Sequence, residues 1–257
     1  MKKEKKIGVT LYNVRDYCRD AAGLDDTLAK LHAIGYRAVQ VSGIGPIPYE
    51  ETGALIRKHS MTCCATHENL ENLETKIPDI VGKMMNWQCD FTALGSPPEI
   101  YFKNGMQDEL ITKLITIGKS LKSHGIKFGF HNHHREFQKF DGKIFLEKIY
   151  ETCPPDVLYA EIDTHWVQRG GGNPVSWIEK TAGRMPVVHF KDFAFIGSEP
   201  CIAEIGAGNL EWDCIIAACR KAKVRWYVIE QDCPFMDRDI FTSLENSYKY
   251  LYNKGLC

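Results

Sequence analysis

The sequence lacks any stretch near the roughly 20 apolar residues that a membrane helix needs. Its opening, MKKEKK, has the positive start of a secretory signal, but only residues 7–11 form an apolar run after it, and Arg15 and Asp16 follow at once. Ten cysteines are present without a single C-x-x-C pair. Cys64 and His67 have C-x-x-H spacing but no second pair, which excludes a zinc finger and leaves the thiols as reduced, mostly buried groups. No charge surplus exists either: 32 Lys and Arg face 33 Asp and Glu, a formal net charge of −1. Binding a nucleic-acid backbone ordinarily needs a positive excess. A glycine-rich phosphate loop is missing after the first apolar run, where the chain reads TLYNVRDYC. Gly170-Gly171-Gly172 reads as a turn into a helix, not as a nucleotide fingerprint. These absences predict a cytoplasmic protein with no membrane and no nucleic-acid partner.

What is present is alternation. Strand-like apolar runs fall at 7–12, 38–41, 62–66, 91–94, 127–130, 158–162, 187–190 and 227–229. Each precedes a stretch of helical spacing, at 25–34, 50–58, 77–85, 108–123, 145–152, 174–181, 211–222 and 239–252. In 108–123, Leu110, Leu114, Ile117 and Leu121 mark one face. Asn173 followed by Pro174 is a helix start. Eight β-then-α units in 257 residues, with no linker or low-complexity segment, predict an α/β fold, a single (β/α)₈ TIM barrel over residues 1–257.

In such a barrel the site lies at the C-terminal strand ends, and polar residues collect there. His67 and Glu68 end the third run; His131, Asn132 and His133 the fifth; Asp163 and His165 the sixth; His189, Lys191 and Asp192 the seventh; Glu230 and Asp232 the eighth. Strand residues alternate faces, so His131 shares a face with His133, Asp163 with His165, His189 with Lys191, and Glu230 with Asp232. A His, an Asp, a second His and a Glu converging at the mouth form a ligand set for a divalent cation, Mn²⁺, Fe²⁺, Co²⁺ or Zn²⁺ in preference to Ca²⁺. The plainer alternative is a mouth whose polar groups only bond one another. Gly206 and Gly208 could let backbone N–H groups approach an anion, but residues 206–212 hold no Arg or Lys. A neutral sugar, glycoside or cyclitol therefore fits better than a sugar phosphate.

HNH after the fifth run, EIDTHW after the sixth, HFKD after the seventh, VIEQD after the eighth and GAGNLEW at 206–212 resemble the xylose isomerase-like barrels. That superfamily includes sugar phosphate isomerases and epimerases, inosose dehydratase and an AP endonuclease branch. The resemblance spans nearly the whole chain. It implies a small sugar or polyol substrate, one divalent metal, an enediolate held by that metal, and a homo-oligomer where outer helices associate. Carried over residue by residue, Asp163, His189 and Glu230 are metal ligands, and His131 stands where the epimerases have the first of two glutamates. That departure removes one carboxylate base and cuts the ligand charge from −3 to −2. It makes two-base epimerisation doubtful and points to an alternative, dehydratase or lyase chemistry on a keto-sugar, keto-glycoside or inosose. Glu230 is then the base, with His133 and Lys191 as further catalytic groups. Lys191, His67, His165 and Trp166 are expected against the substrate. A simple salt bridge for Lys191 and a merely supporting hydrogen bond for His133 are the plainer readings. An AP endonuclease fits the balanced charge poorly, and a metal-free binding barrel remains the third class.

Overall fold

The computed structural model describes residues 6–256. Eight parallel strands close into a barrel: β1 Ile7–Thr10, β2 Ala38–Val41, β3 Thr62–Glu68, β4 Phe91–Leu94, β5 Lys127–His131, β6 Tyr159–Asp163, β7 Val187–Phe190 and β8 Trp226–Ile229. Each pairs with its sequence neighbours, and β1 closes on β8. The runs read from the sequence and these strands agree within about two residues at each end. The (β/α)₈ TIM barrel is the observed fold.

Ten α-helices form the outer layer and the caps: α1 Ala21–Ile34, α2 Tyr49–Lys58, α3 Leu70–Thr75, α4 Ile77–Asn86, α5 Gln107–Ser123, α6 Phe145–Thr152, α7 Thr164–Arg169, α8 Pro174–Lys180, α9 Trp212–Lys221 and α10 Ile240–Asn253. The expected face of α5, with Leu110, Leu114, Ile117 and Leu121, is buried against the barrel. Each such side chain stabilises the fold by roughly 1.5–3 kcal/mol. Asn173 caps α8 by accepting from Ser176 N, with Pro174 at the first helical position, as the sequence predicts. Two small antiparallel hairpins were not legible in the runs. One, Lys139–Phe140 with Lys143–Ile144, follows β5. The other, Asp192–Ile196 with Glu199–Ala203, follows β7. No helix among the described residues is long and apolar enough to cross a membrane.

Inside the barrel, small and large residues share one apolar layer: Ala38, Cys64, Ala65, Phe91, Ala93, Val187 and Val228. Gly129 belongs to it by necessity. A Cβ there would lie 2.4 Å from the Phe91 ring, so the absence of a side chain on β5 makes room for the phenyl group. Above this layer the barrel interior turns polar.

Candidate active site

Period-two alternation aims Gln40 of β2, His67 of β3, His131 of β5, Glu161 and Asp163 of β6, His189 of β7 and Glu230, which follows β8, towards the barrel axis. All but His67 are buried. His189 is held from both sides: Nδ1 lies 3.2 Å from Glu230 Oε2, and Nε2 lies 2.8 Å from Gln40 Oε1. His131 Nε2 is 4.0 Å from Glu230 Oε2. Asp163 Oδ1 accepts from Trp166 N at 2.8 Å, while its Oδ2 is buried without a hydrogen-bond partner among the described residues. Asn132 Oδ1 accepts from Asp163 N at 3.0 Å and fixes the end of β6 beside β5. The ligand atoms of His131, Asp163, His189 and Glu230 all lie within 4.8 Å of one another, and these four residues could hold a metal ion.

Lys191 Nζ reaches Asp232 Oδ2 at 2.6 Å and Glu230 Oε2 at 3.3 Å, and stands 4.7 Å over the Trp166 ring. A cavity of about 360 Å³ opens above these groups, walled by Tyr12, His67, His131, His133, Lys191 and Glu230 among others. A second cavity of about 700 Å³ adjoins it, sharing Ser42, Gly43, His67, Glu68 and Asn69 and running outward to Trp87.

Electrostatics follow from burial and neighbours. Burial pushes the His131 imidazole down to about 4 and that of His133 to about 2, so both are neutral at pH 7. Burial also works against charge on Glu230, but Lys191 and His189 hold its carboxyl well below the usual range. Burial raises Asp163 well above it. Lys191 is raised because Glu230, Asp163 and Asp232 surround it and outweigh its burial. Two imidazoles and two carboxylates, one of them with an orphaned oxygen, form a donor set suited to a transition-metal dication, which would relieve the unpaired oxygen of Asp163.

Of the residues picked from the sequence, the structure brings together His131, Asp163, His189, Glu230, His133, Lys191 and His67. His165 and Trp166 lie elsewhere. β6 stops at Asp163, whose carboxylate caps α7, so alternation gives way to helical turn and His165 swings off the axis. Its Nδ1 donates to Asp192 O at 2.8 Å, and its ring packs on Trp166 and Phe193. Trp166 backs His133, His134 and Lys191, with ring centroids 5.2 Å from both histidines. Neither lines the cavity.

His165 has a measurable consequence. Burial sets its imidazole at about 4, against an ordinary 6.5. Between those values the unfolded chain binds a proton that the folded chain does not, so this contribution is complete above pH 6.5 and is lost as pH falls towards 4. The shift corresponds to on the order of 3 kcal/mol. Urea unfolding between pH 7.5 and 4.5 should show the loss, and His165→Gln should reduce its size. Equal pH slopes for the two proteins would contradict this assignment.

Gly206 and Gly208 do approach an anion, and that anion is the Asp192 carboxylate. Oδ2 accepts from Gly206 N at 2.8 Å, Gly208 N at 3.1 Å and Trp212 Nε1 at 2.7 Å, and Oδ1 from Phe193 N at 2.8 Å and Leu210 N at 3.3 Å. A Cβ on Gly208 would lie 2.4 Å from Asp192 Oδ1, which requires glycine there.

Glu161 escaped the sequence reading. It is fully buried one layer below Asp163, makes a short hydrogen bond to His67 Nε2, and lies 3.4 Å from both His131 Nδ1 and His189 Nε2. Burial opposes its charge, but His189 and His67 hold it well below the usual carboxylate range. The signal was in the alternation: Glu161 is two residues before Asp163, hence on the same face.

No family model matches the chain and no curated protein matches it. Solved structures do. A sugar phosphate isomerase/epimerase from Parabacteroides distasonis superposes with a TM-score of 0.80 at 21% identity, over 96% of this chain and 93% of that one. An L-ribulose 3-epimerase gives 0.76 at 12% identity, over 98% and 94%. A probable 3-DHS dehydratase from Bacillus anthracis gives 0.75 at 11%, over 97% and 99%. At these identities the likeness establishes the fold alone, a (β/α)₈ barrel shared with these proteins.

Proposed function

We propose that this chain is a cytoplasmic, metal-dependent enzyme of the isomerase/epimerase type, acting on a keto-sugar or related polyol. One observation carries the reading: the orphaned oxygen of buried Asp163 faces a closed set of His131, His189 and Glu230 directly beneath an open cavity. A divalent ion held by His131, Asp163, His189 and Glu230 would supply Lewis acidity to a substrate carbonyl. Glu230, held ionised, takes the proton from the carbon beside the carbonyl, leaving an enediolate. Lys191 places its ammonium over the developing oxygen charge. It can do so without abandoning Asp232, which keeps the ammonium charged in the dry site. His133, uncharged, hydrogen-bonds a substrate hydroxyl. The solved epimerases and isomerases of the same fold support this class.

A second reading is favoured by His131. With imidazole in place of a second glutamate, the cavity has one carboxylate placed to accept a carbon-bound proton, because Asp232 is committed to Lys191, Glu68 to Lys83, and Glu161 lies below. One base suffices for proton removal followed by loss of a β-hydroxyl or an aglycone, and a dehydratase shares the fold. The test uses protein loaded with Mn²⁺ or Co²⁺, incubated in D₂O with a panel of aldoses, ketoses and 3-keto-glycosides. Deuterium uptake with the carbon skeleton and hydroxyls intact supports isomerisation or epimerisation. Loss of water or aglycone supports elimination. A protein that retains no metal after gentle purification and gains no activity with either ion refutes both.

A further inference from the structure

Two overlapping groups of potential ligands share His131 and His189. One adds Asp163 and Glu230 above; the other adds His67 and Glu161 below. Each shared imidazole shows one nitrogen to each group. His131 Nε2 faces Glu230 and its Nδ1 faces Glu161. His189 Nδ1 faces Glu230, while its Nε2 faces Gln40 Oε1 at 2.8 Å and Glu161 Oε1 at 3.4 Å.

A cation in each group at once would need both rings stripped of both protons, and a neutral imidazole carries one. Gln40 decides which nitrogen of His189 keeps it. The carboxamide oxygen is only an acceptor, so with Oε1 facing the ring, Nε2 keeps its proton. Burial works against charge on this ring, but Glu161 and Glu230 outweigh it and raise the imidazole well above its usual range, so Nδ1 also carries a proton towards Glu230 until a metal displaces it and takes that lone pair. For His131, Nδ1 makes no hydrogen bond among the described residues, and the one acceptor facing it is Glu161 Oε2 at 3.4 Å. Its proton belongs there, which frees Nε2. Both lone pairs therefore point into the upper group. The lower group, despite its three imidazoles and one carboxylate, holds protons.

We propose that Glu161 is the positioning residue of the metal centre, and that it supplies from beneath the negative charge that His131 fails to supply as a ligand. Its carboxylate takes the Nδ1–H of His131 and is also hydrogen-bonded to His67 Nε2. Hydrogen bonding of this kind fixes the tautomer and makes the ligating nitrogen more basic. Counting Glu161, the centre has three carboxylates around it, two as ligands and one through an imidazole. The metal is then less electron-poor than the ligand charge of −2 suggests. His67 follows from the same geometry: its Nε2 is tied to Glu161, so the ring is fixed in the wall of the substrate cavity and is not a ligand.

This inference rests on the metal reading of the upper group, and the experiment separates the two. The metal-free protein is titrated with Co²⁺ at pH 7.5, following affinity, stoichiometry and the visible absorption of the bound ion. The wild type should bind one tight equivalent. Glu161→Gln should bind one equivalent about 10- to 100-fold more weakly, with an altered spectrum, measured at a temperature where the metal-free variant is folded by circular dichroism. Affinity within threefold of wild type overturns the role of Glu161 and leaves the metal reading standing. Two tight equivalents in the wild type, one of them lost in Glu161→Gln, make the lower group a metal site and overturn the proposal. No tight Co²⁺ in the wild type removes the metal reading and this inference with it. A second measurement needs no variant: long-range ¹H–¹⁵N spectra of the metal-free wild type should show His131 as the Nδ1–H tautomer and His189 protonated at Nε2, with the Nδ1 proton of His189 lost when Co²⁺ or Zn²⁺ is added. The opposite tautomer at His131 overturns the proposal.

Discussion

Glu230→Gln is expected to leave about one thousandth or less of wild-type turnover, within the 10²–10⁴-fold span of a lost general base compounded by a weakened cation site. Glu230 is buried and does two tasks with one carboxylate. Oε2 faces His189 Nδ1 and Lys191 Nζ, so it anchors the ligand set and lies beside the group that steadies the substrate oxygen. A glutamine keeps the shape but cannot accept a proton from carbon. It also contributes no charge against Lys191, which retains Asp232 at 2.6 Å and so stays paired. The fold should therefore survive while activity does not. Turnover measured at saturating metal, with metal content determined on the same sample, separates the two tasks. A variant that holds its metal and still turns over within tenfold of wild type removes Glu230 from proton transfer.

The largest effect on stability is expected from Asp192→Asn, about 2–5 kcal/mol, from buried donors left without an acceptor. Five donors converge on this carboxylate, from Phe193, Gly206, Gly208, Leu210 and the Trp212 indole. An asparagine has one acceptor oxygen. Its amide nitrogen would face N–H groups at whichever side it occupied, leaving two or three donors buried and unsatisfied at roughly 1–3 kcal/mol each. Urea unfolding of the two proteins at pH 7.5 checks this. A difference below 1 kcal/mol would mean that the loop finds other partners.

The barrel was legible because each strand is a short apolar run and each helix carries its period in Leu and Ile. The metal-type cluster was legible because its members stand at strand ends. Legibility failed where one periodicity handed over to another. His165 was placed on the face of Asp163 by counting in twos, but Asp163 is itself the cap of α7, and past a cap the count is by 3.6. Glu161 lies the other way along the strand: the same count of two, extended backwards from Asp163, reaches it inside the apolar run. Trp166 takes its position from α7, which sets its ring behind His133 and Lys191. The hairpins escaped because their strands, of two and five residues, offer too little alternation to distinguish from loop. Gly206 and Gly208 were read correctly as amides open to an anion. That the anion is a side chain of the same loop is a long-range fact, invisible in local spacing.

The Asp192 clamp also bears on how this protein can vary. The carboxylate ties the root of the hairpin after β7 to the start of α9, while the tip of the hairpin carries exposed Phe195 and Ile196. Substitutions, insertions or deletions at the tip are absorbed before they reach the clamp, and Lys191, one residue ahead of it, stays in register with Glu230. The hairpin is thus a module whose length and composition can drift, or be exchanged by an engineer, to reshape what approaches the barrel mouth while the chemistry beneath is inherited unchanged.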